Sequence, residues 1–134
     1  EWLVPVCQPA MLKKLGPIND HDDLRRFRLL HSSTEPWAIW LSGNPDDCWP
    51  ESGVGFDDST AIVRAAAAGA GLALARWSLV AEEVRNGSLV MASRHVTPYA
   101  RRYYFVCLPK ALQLKKVAAL REWLRQQAAK HPAP

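Results

Sequence analysis

An α/β fold, with a mixed, mostly parallel sheet flanked by helices, follows from three observations on this 134-residue sequence. Short apolar runs of strand length alternate with helical patterns along most of the chain. One alternation carries all its punctuation: Val54-Gly55-Phe56, then Asp57-Asp58-Ser59-Thr60, an alanine-rich run, Gly69-Ala70-Gly71 and the apolar Leu72-Ala73-Leu74-Ala75. Composition is the third. With 49% hydrophobic and 22% charged residues, the chain can bury a real core as one domain or one lobe of a larger one.

In chain order, Leu3 to Cys7 reads as a strand, with Pro5 suggesting an edge or first-in-strand position because it lacks an N–H. Pro9 to Leu15 suits a short helical turn closed by Gly16-Pro17. Asn19-Asp20-His21-Asp22-Asp23 is a polar loop leading into a short helix from Asp23 to Phe27, and Leu29-Leu30-His31 is a brief strand. Pro36 stands where a first-turn proline would, before a short helix over Trp37 to Leu41 ended at Gly43. Residues 43–53, rich in Gly, Asn, Pro, Asp and Ser, form the longest loop.

The punctuated unit then predicts a strand over 54–56, a helix over 59–69 and a strand over 71–76. Asp58 or Ser59 can accept from the first helical amides, and Gly69 is placed to end the helix. A short helix follows from Leu79 to Arg85, stopped by Asn86-Gly87, and Leu89-Val90-Met91 is a strand. Thr97-Pro98 turns the chain into residues 103–108, the most strand-like segment present. The last element is an amphipathic helix over 112–129, with Leu114, Val117, Leu120, Leu124 and Ala128 on one face. Residues 131–134 are a tail. The opening strand, without an initiator methionine, suggests a chain cut from a longer one.

Chemistry-bearing clusters have plain structural explanations. The loop from Asn19 to Asp23 offers metal-type ligands but matches no ligand spacing, so Asp22 or Asp23 is expected to cap the next helix. Asp57 and Asp58 leave a strand in opposite directions and do not face each other across a substrate. Ser59 with His31 and an Asp lacks the Gly-x-Ser-x-Gly turn of a nucleophile. Gly69-x-Gly71 follows a helix where a dinucleotide loop would precede one. No acid–base–nucleophile set survives, so the chain is not read as an enzyme, and no metal or cofactor is expected.

Cys7, Cys48 and Cys107 are odd in number and far apart, which supports neither a disulfide framework nor a zinc site and fits a reducing, cytoplasmic setting. Net charge is +4, with pI about 9.2, but the basic residues are scattered. Arg101-Arg102-Tyr103-Tyr104-Phe105 interleaves base and aromatic, yet reads more simply as the start of a core strand. No apolar run is long enough for a membrane. Most of the six tryptophans are expected in the core, with Trp37 a candidate for ligand contact.

Several motifs together resemble one family. They are Leu3-Val4-Pro5-Val6-Cys7-x-Pro9, Asp23-Leu24 with Leu29-Leu30-His31, Trp37-x-x-Trp40-Leu41, and Phe56-Asp57-x-Ser59 with the alanine-rich helix. Ala68-Gly69-x-Gly71-Leu72-Ala73-Leu74 and Tyr103-Tyr104-Phe105-Val106-Cys107 complete the set. From about Trp2 to Lys130 the chain is similar to the effector-binding region of LysR-type transcriptional regulators, in the branch of glycine-cleavage activators and beta-lactamase regulators.

The resemblance implies a periplasmic-binding-protein-like (type 2) lobe. Residues 1–8 would be a crossover strand, 9–100 the second lobe, and 101–130 the return crossover strand with the closing helix of the first lobe. A small-molecule effector would bind between the lobes and reorient a homodimer or homotetramer. DNA would be met only through an N-terminal winged helix-turn-helix absent from this chain. Ser59 and Thr60 would present a hydroxyl and helix-start amides, and Tyr103 a phenol from the crossover strand. Asp58, His31 and Trp37 would be further pocket residues, and Ile62, Val63 and Ala66 would serve a dimer.

The Asp57-Asp58 pair is more acidic than the family's usual pattern. A carboxylate at a helix N-terminus is worth about 0.3–1 kcal/mol and competes with an anion for the same amides. An amide-rich, zwitterionic or neutral effector is therefore expected. The alternative reading is a fragment of a periplasmic-type solute-binding protein of the same architecture.

Overall fold

A computed structural model describes residues 1–42 and 53–134. The expected loop over 43–53, the helix end at Gly43 and Cys48 therefore lie at or outside the limits of the described residues. The chain forms two compact units, residues 1–99 and residues 100–133.

The first unit is built on one sheet, of strands β1 (Trp2–Cys7), β2 (Leu29–Ser32), β3 (Val54–Phe56), β4 (Leu72–Arg76), β5 (Val90–Met91) and β6 (Thr97–Pro98). Their order is β3-β2-β4-β1-β5, with β6 also paired to β1. The ladders β2–β3 and β2–β4 are parallel. All three ladders made by β1 are antiparallel, so the sheet is mixed and its parallel part is confined to β3-β2-β4. Strand–helix alternation gives direction only where consecutive strands become neighbours. Here β1 is inserted far from β2, between β4 and β5.

Strands β1, β2 and β4 divide their side chains between two cores. Leu3, Leu29, Leu72 and Leu74 face one cluster with Trp37 and Trp40 of helix α2 (Trp37–Ser42). Val4, Val6, Leu30, Ala73 and Ala75 face the other, with Ile62, Val63 and Ala66 of α3 (Ser59–Ala67) and Val80 of α4 (Trp77–Arg85). This is the period-2 pattern of a sheet covered on both faces. The small Ala73, Ala75 and Ala66 give the second face its close helix-to-sheet packing. Gly71 is required at the start of β4: a Cβ there would run into the Arg28 carbonyl, which accepts from Leu72 N–H at 2.8 Å.

Pro5 lies in a central strand, not at an edge. Its carbonyl accepts from Ala92 N–H at 2.9 Å, and the N–H it cannot return is replaced by that of Ile18, which donates to the Ala92 carbonyl at 2.7 Å. The ladder loses nothing at the proline. Thr97-Pro98, expected only as a turn, pairs with Leu3 and Trp2.

Helix α1 (Pro9–Leu15) ends at Gly16 with φ 80°, and Arg26 closes that end by donating to the carbonyls of Leu15 and Pro17 at 2.6 and 2.8 Å. The 3-10 turn Asp22–Arg26 is capped reciprocally. Asp23 N–H donates to Asp20 Oδ1 at 3.1 Å, and Asp23 Oδ2 accepts from Asn19 and Asp20 N–H at 2.8 and 3.4 Å. The forward cap is thus Asp20, while Asp23 reaches back. The backbone amide of Asn19 holds the Asp23 carboxyl below its usual range.

In the second unit, the 3-10 turn Pro109–Gln113 leads into helix α5 (Lys115–Ala129). Residues 103–108, expected as the most strand-like segment, enter no ladder among the described residues. Aromatic and β-branched residues favour a strand only when a neighbouring strand completes it. The apolar side chains of α5, including Leu120, Trp123 and Leu124, are exposed.

Candidate functional site

The three parallel strands end side by side, and residues at or after those ends form a polar cluster. β2 ends at Ser32 and continues through Ser33-Thr34-Glu35 before Pro36 opens α2. β3 ends at Phe56, and Asp58 caps α3 by accepting from Ala61 N–H at 2.7 Å. β4 ends at Arg76. Adjacent parallel strands with helices beyond them bring such ends together, the place where open α/β sheets hold ligands.

The centre of this cluster is Glu35, which is 2% exposed. Its Oε2 accepts from the hydroxyls of Thr34 at 2.7 Å, Ser32 at 2.8 Å and Ser59 at 3.0 Å. Its Oε1 accepts from Ser59 at 3.2 Å and pairs with Arg76 Nε at 3.1 Å. A buried carboxylate is tolerated when it is paired and hydrogen-bonded, and this one is both. Tyr99, itself buried in the core, braces the segment by donating its phenol to the Thr34 carbonyl.

Of the residues singled out from sequence, Ser59 is half-buried and committed to Glu35, and Thr60 and Asp58 are exposed beside it at the start of α3. His31 lies within the β2–β3 ladder, opposite Gly55. Trp37 is 2% exposed in the core and donates its indole N–H to the Leu30 carbonyl at 3.0 Å. Ser59 thus turns to Glu35 rather than to a histidine. Tyr103 belongs to the second unit and is 67% exposed there.

Ile62, Val63 and Ala66, the residues expected to serve a dimer, are buried inside the chain's own core. The helix repeat turns them toward the sheet, which leaves Thr60, Arg64 and Ala68 on the exposed face of α3.

Sequence reasoning missed Glu35 and Arg76. The signal was a run of hydroxyl residues and a carboxylate directly after a strand, but their convergence depends on β2 lying between β3 and β4. It also missed His95. A cavity of about 660 Å³, lined by Asn19, His21, Trp40, Ser93 and His95 among others, lies away from the strand-end cluster and contains none of the residues singled out as effector contacts. Cys7 is fully buried, and burial pushes its thiol up to about 11. Among the described residues there is no group of three His, Cys, Asp or Glu side chains able to hold a metal ion.

The family model described as LysR substrate binding domain matches residues 1–129. The glycine cleavage system transcriptional activator of Escherichia coli K12 is 32% identical over 133 residues, which cover 96% of this chain and 43% of that protein. The chain therefore spans less than half the length of this curated relative. Among solved structures, the regulatory domain of AphB from Vibrio vulnificus superposes with a TM-score of 0.70 at 18% identity, covering 94% of this chain and 64% of that one. The effector domain of the transcriptional regulator AmpR of Pseudomonas aeruginosa gives 0.64 at 22% identity, covering 96% and 61%. The fold is that of these effector domains.

Proposed function

This chain belongs to the LysR substrate binding domain family, and on that premise we propose that it is the effector-sensing part of a bacterial transcriptional regulator. A small molecule binds at the strand-end cluster and changes how the regulator's lobes are oriented. Operator DNA is contacted by a winged helix-turn-helix elsewhere in the parent protein, and the parent acts as a homodimer or homotetramer in the cytoplasm. No bond is made or broken. The observation that carries this reading is the convergence of Ser59, Glu35 and Arg76 at the ends of three parallel strands, within a chain whose relatives include a transcriptional activator.

In this reading residues 1–8 are a crossover strand, 9–100 the second lobe, and 101–130 the return crossover with the closing helix of the first lobe. The exposed apolar side chains Phe105, Val106, Leu120 and Trp123 support that assignment, because exposed apolar surface of this extent marks an interaction face. Ser59 and Thr60 contact the effector, with Asp58 beside them and Tyr103 contributing from the crossover. His31 and Trp37 stabilise the site from within the sheet and core. The fold of a periplasmic-type solute-binding protein is the same, but similarity to a transcriptional activator over 96% of the chain favours the regulator.

The test is made in the natural protein that contains this chain. Ser59→Ala and Tyr103→Phe weaken the response of a reporter promoter to its inducer while leaving operator affinity unchanged in a gel-shift titration. Equal loss of both would mean that these are structural residues and not effector contacts.

A further inference from the structure

The hydroxyl inventory around Glu35 determines which way Ser59 faces a ligand. A carboxylate only accepts, and a hydroxyl has a single proton. Ser32, Thr34 and Ser59 all lie within hydrogen-bond distance of Glu35, at 2.8, 2.7 and 3.0 Å. Each can donate to the carboxylate; Ser32 and Thr34 also lie 2.9 Å apart, where either oxygen can be the donor, while the shortest contacts of Ser59 are those to Glu35.

The lone pairs of these oxygens are used differently. Ser32 Oγ accepts from the amides of Thr34 and Glu35 at 3.2 and 3.3 Å. For Ser59 the other neighbour is Thr34 Oγ1 at 3.4 Å, a much longer contact than the one Thr34 makes to Glu35 at 2.7 Å. Ser59 thus keeps its acceptor sites for an outside group. Asp57 and Asp58, both exposed, directly precede it in the chain, with the Asp58 carboxylate capping α3 at Ala61 N–H.

We infer that Glu35 is a specificity-determining residue, which turns Ser59 into an acceptor and so selects effectors that present an N–H donor, an ammonium or amide, at this point and not a carboxylate. The inference rests on the reading of the strand-end cluster as the effector seat. Glu35 acts as a positioning residue: both of its oxygens are filled from within the protein, and it meets the ligand only through Ser59. A carboxylate brought to Ser59 would face lone pairs and lie close to the Asp57-Asp58 charges. Its affinity is expected to be at least about tenfold below that of an amine of the same size, the usual scale for a lost charge-assisted hydrogen bond.

The experiment follows thermal unfolding of the natural protein containing this chain, with glycinamide as the donor probe and acetate as the carboxylate probe at matched ionic strength. Glycinamide is expected to raise the melting temperature at millimolar concentration where acetate does not, and Ser59→Ala abolishes the rise. Glu35→Gln replaces the charged acceptor by a neutral one and weakens the hold on the Ser59 proton, so the preference for glycinamide over acetate falls by up to about tenfold. Should Glu35→Gln fail to fold, Ser59→Ala, which leaves Glu35 paired with Arg76, Ser32 and Thr34, still decides. A rise with acetate equal to that with glycinamide, lost in Ser59→Ala, overturns the inference and leaves the effector seat in place. A glycinamide rise that persists in Ser59→Ala overturns the seat itself. Silence with both probes overturns the inference.

Discussion

Replacing Glu35 by Gln is the most searching perturbation of this fold. The amide keeps the shape of the side chain but removes its charge from a site that is 2% exposed. Three hydroxyl hydrogen bonds pass from a charged acceptor to a neutral one, a difference of about 1 kcal/mol each. Arg76 loses its ion-pair partner at 3.1 Å; because its side chain is 24% exposed, water partly replaces the carboxylate. The full cost of orphaning one member of a buried pair, about 3–5 kcal/mol, is therefore an upper bound, and about 2–4 kcal/mol is expected. In urea, with a slope of about 2 kcal/mol per molar, in the middle of the range for small proteins, the midpoint falls by about 1–2 M. Tryptophan fluorescence during urea unfolding reads this directly. The double variant Glu35→Gln with Arg76→Gln recovers part of the loss, because no guanidinium is left unmatched. A loss below about 0.5 kcal/mol for Glu35→Gln, the range of ordinary surface substitutions, would refute the buried-pair argument.

Further outcomes concern other parts of the chain. Ile62→Ala, at a position 1% exposed, costs about 2–5 kcal/mol independently of protein concentration, whereas Arg64→Ala on the same helix stays within about 0.5 kcal/mol; a concentration-dependent Ile62 effect would place that side chain in a subunit contact. Cys7, with its thiol raised to about 11, stays unmodified by iodoacetamide at neutral pH in the native protein and reacts on unfolding, as read by mass spectrometry; labelling of the native protein at Cys7 would contradict its burial. Glu1 caps α4 by accepting from Ser78 N–H at 3.1 Å. Burial raises its carboxyl pKa, yet the hydrogen bonds from Ser78 and Trp2 outweigh this and hold it below the ordinary value of 4.5. The folded pKa is thus the lower one, so the cap's stabilisation is complete above the unfolded value and lost as pH falls through the folded one. Glu1→Gln should remove that acid-side slope from a melting-temperature profile, and an unchanged profile would mean that the cap carries no charge-dependent stability.

Where punctuation was local, the sequence was enough. Asp58, the alanine run and Gly69 define α3 because capping, helix propensity and a positive φ of 79° all act within a few residues. Pro5 and residues 103–108 were misread for one reason: a strand is a relation between segments. Pro5 is accommodated centrally because Ile18, thirteen residues on, supplies the missing donor to Ala92. Residues 103–108 have strand composition, but no neighbouring strand completes a ladder among the described residues.

The chain's own letters determined its alternation of strands and helices, its two-faced apolar pattern and its family likeness, since these are written in residue type and short spacing. Only tertiary structure decided that β1 would run antiparallel through the middle of the sheet and that Ile62, Val63 and Ala66 would turn inward. It also decided that an unremarked glutamate would gather Ser32, Thr34, Ser59 and Arg76 around itself. Those outcomes depend on which strands become neighbours, and a carboxylate acquires its partners only when distant segments close over it and exclude water.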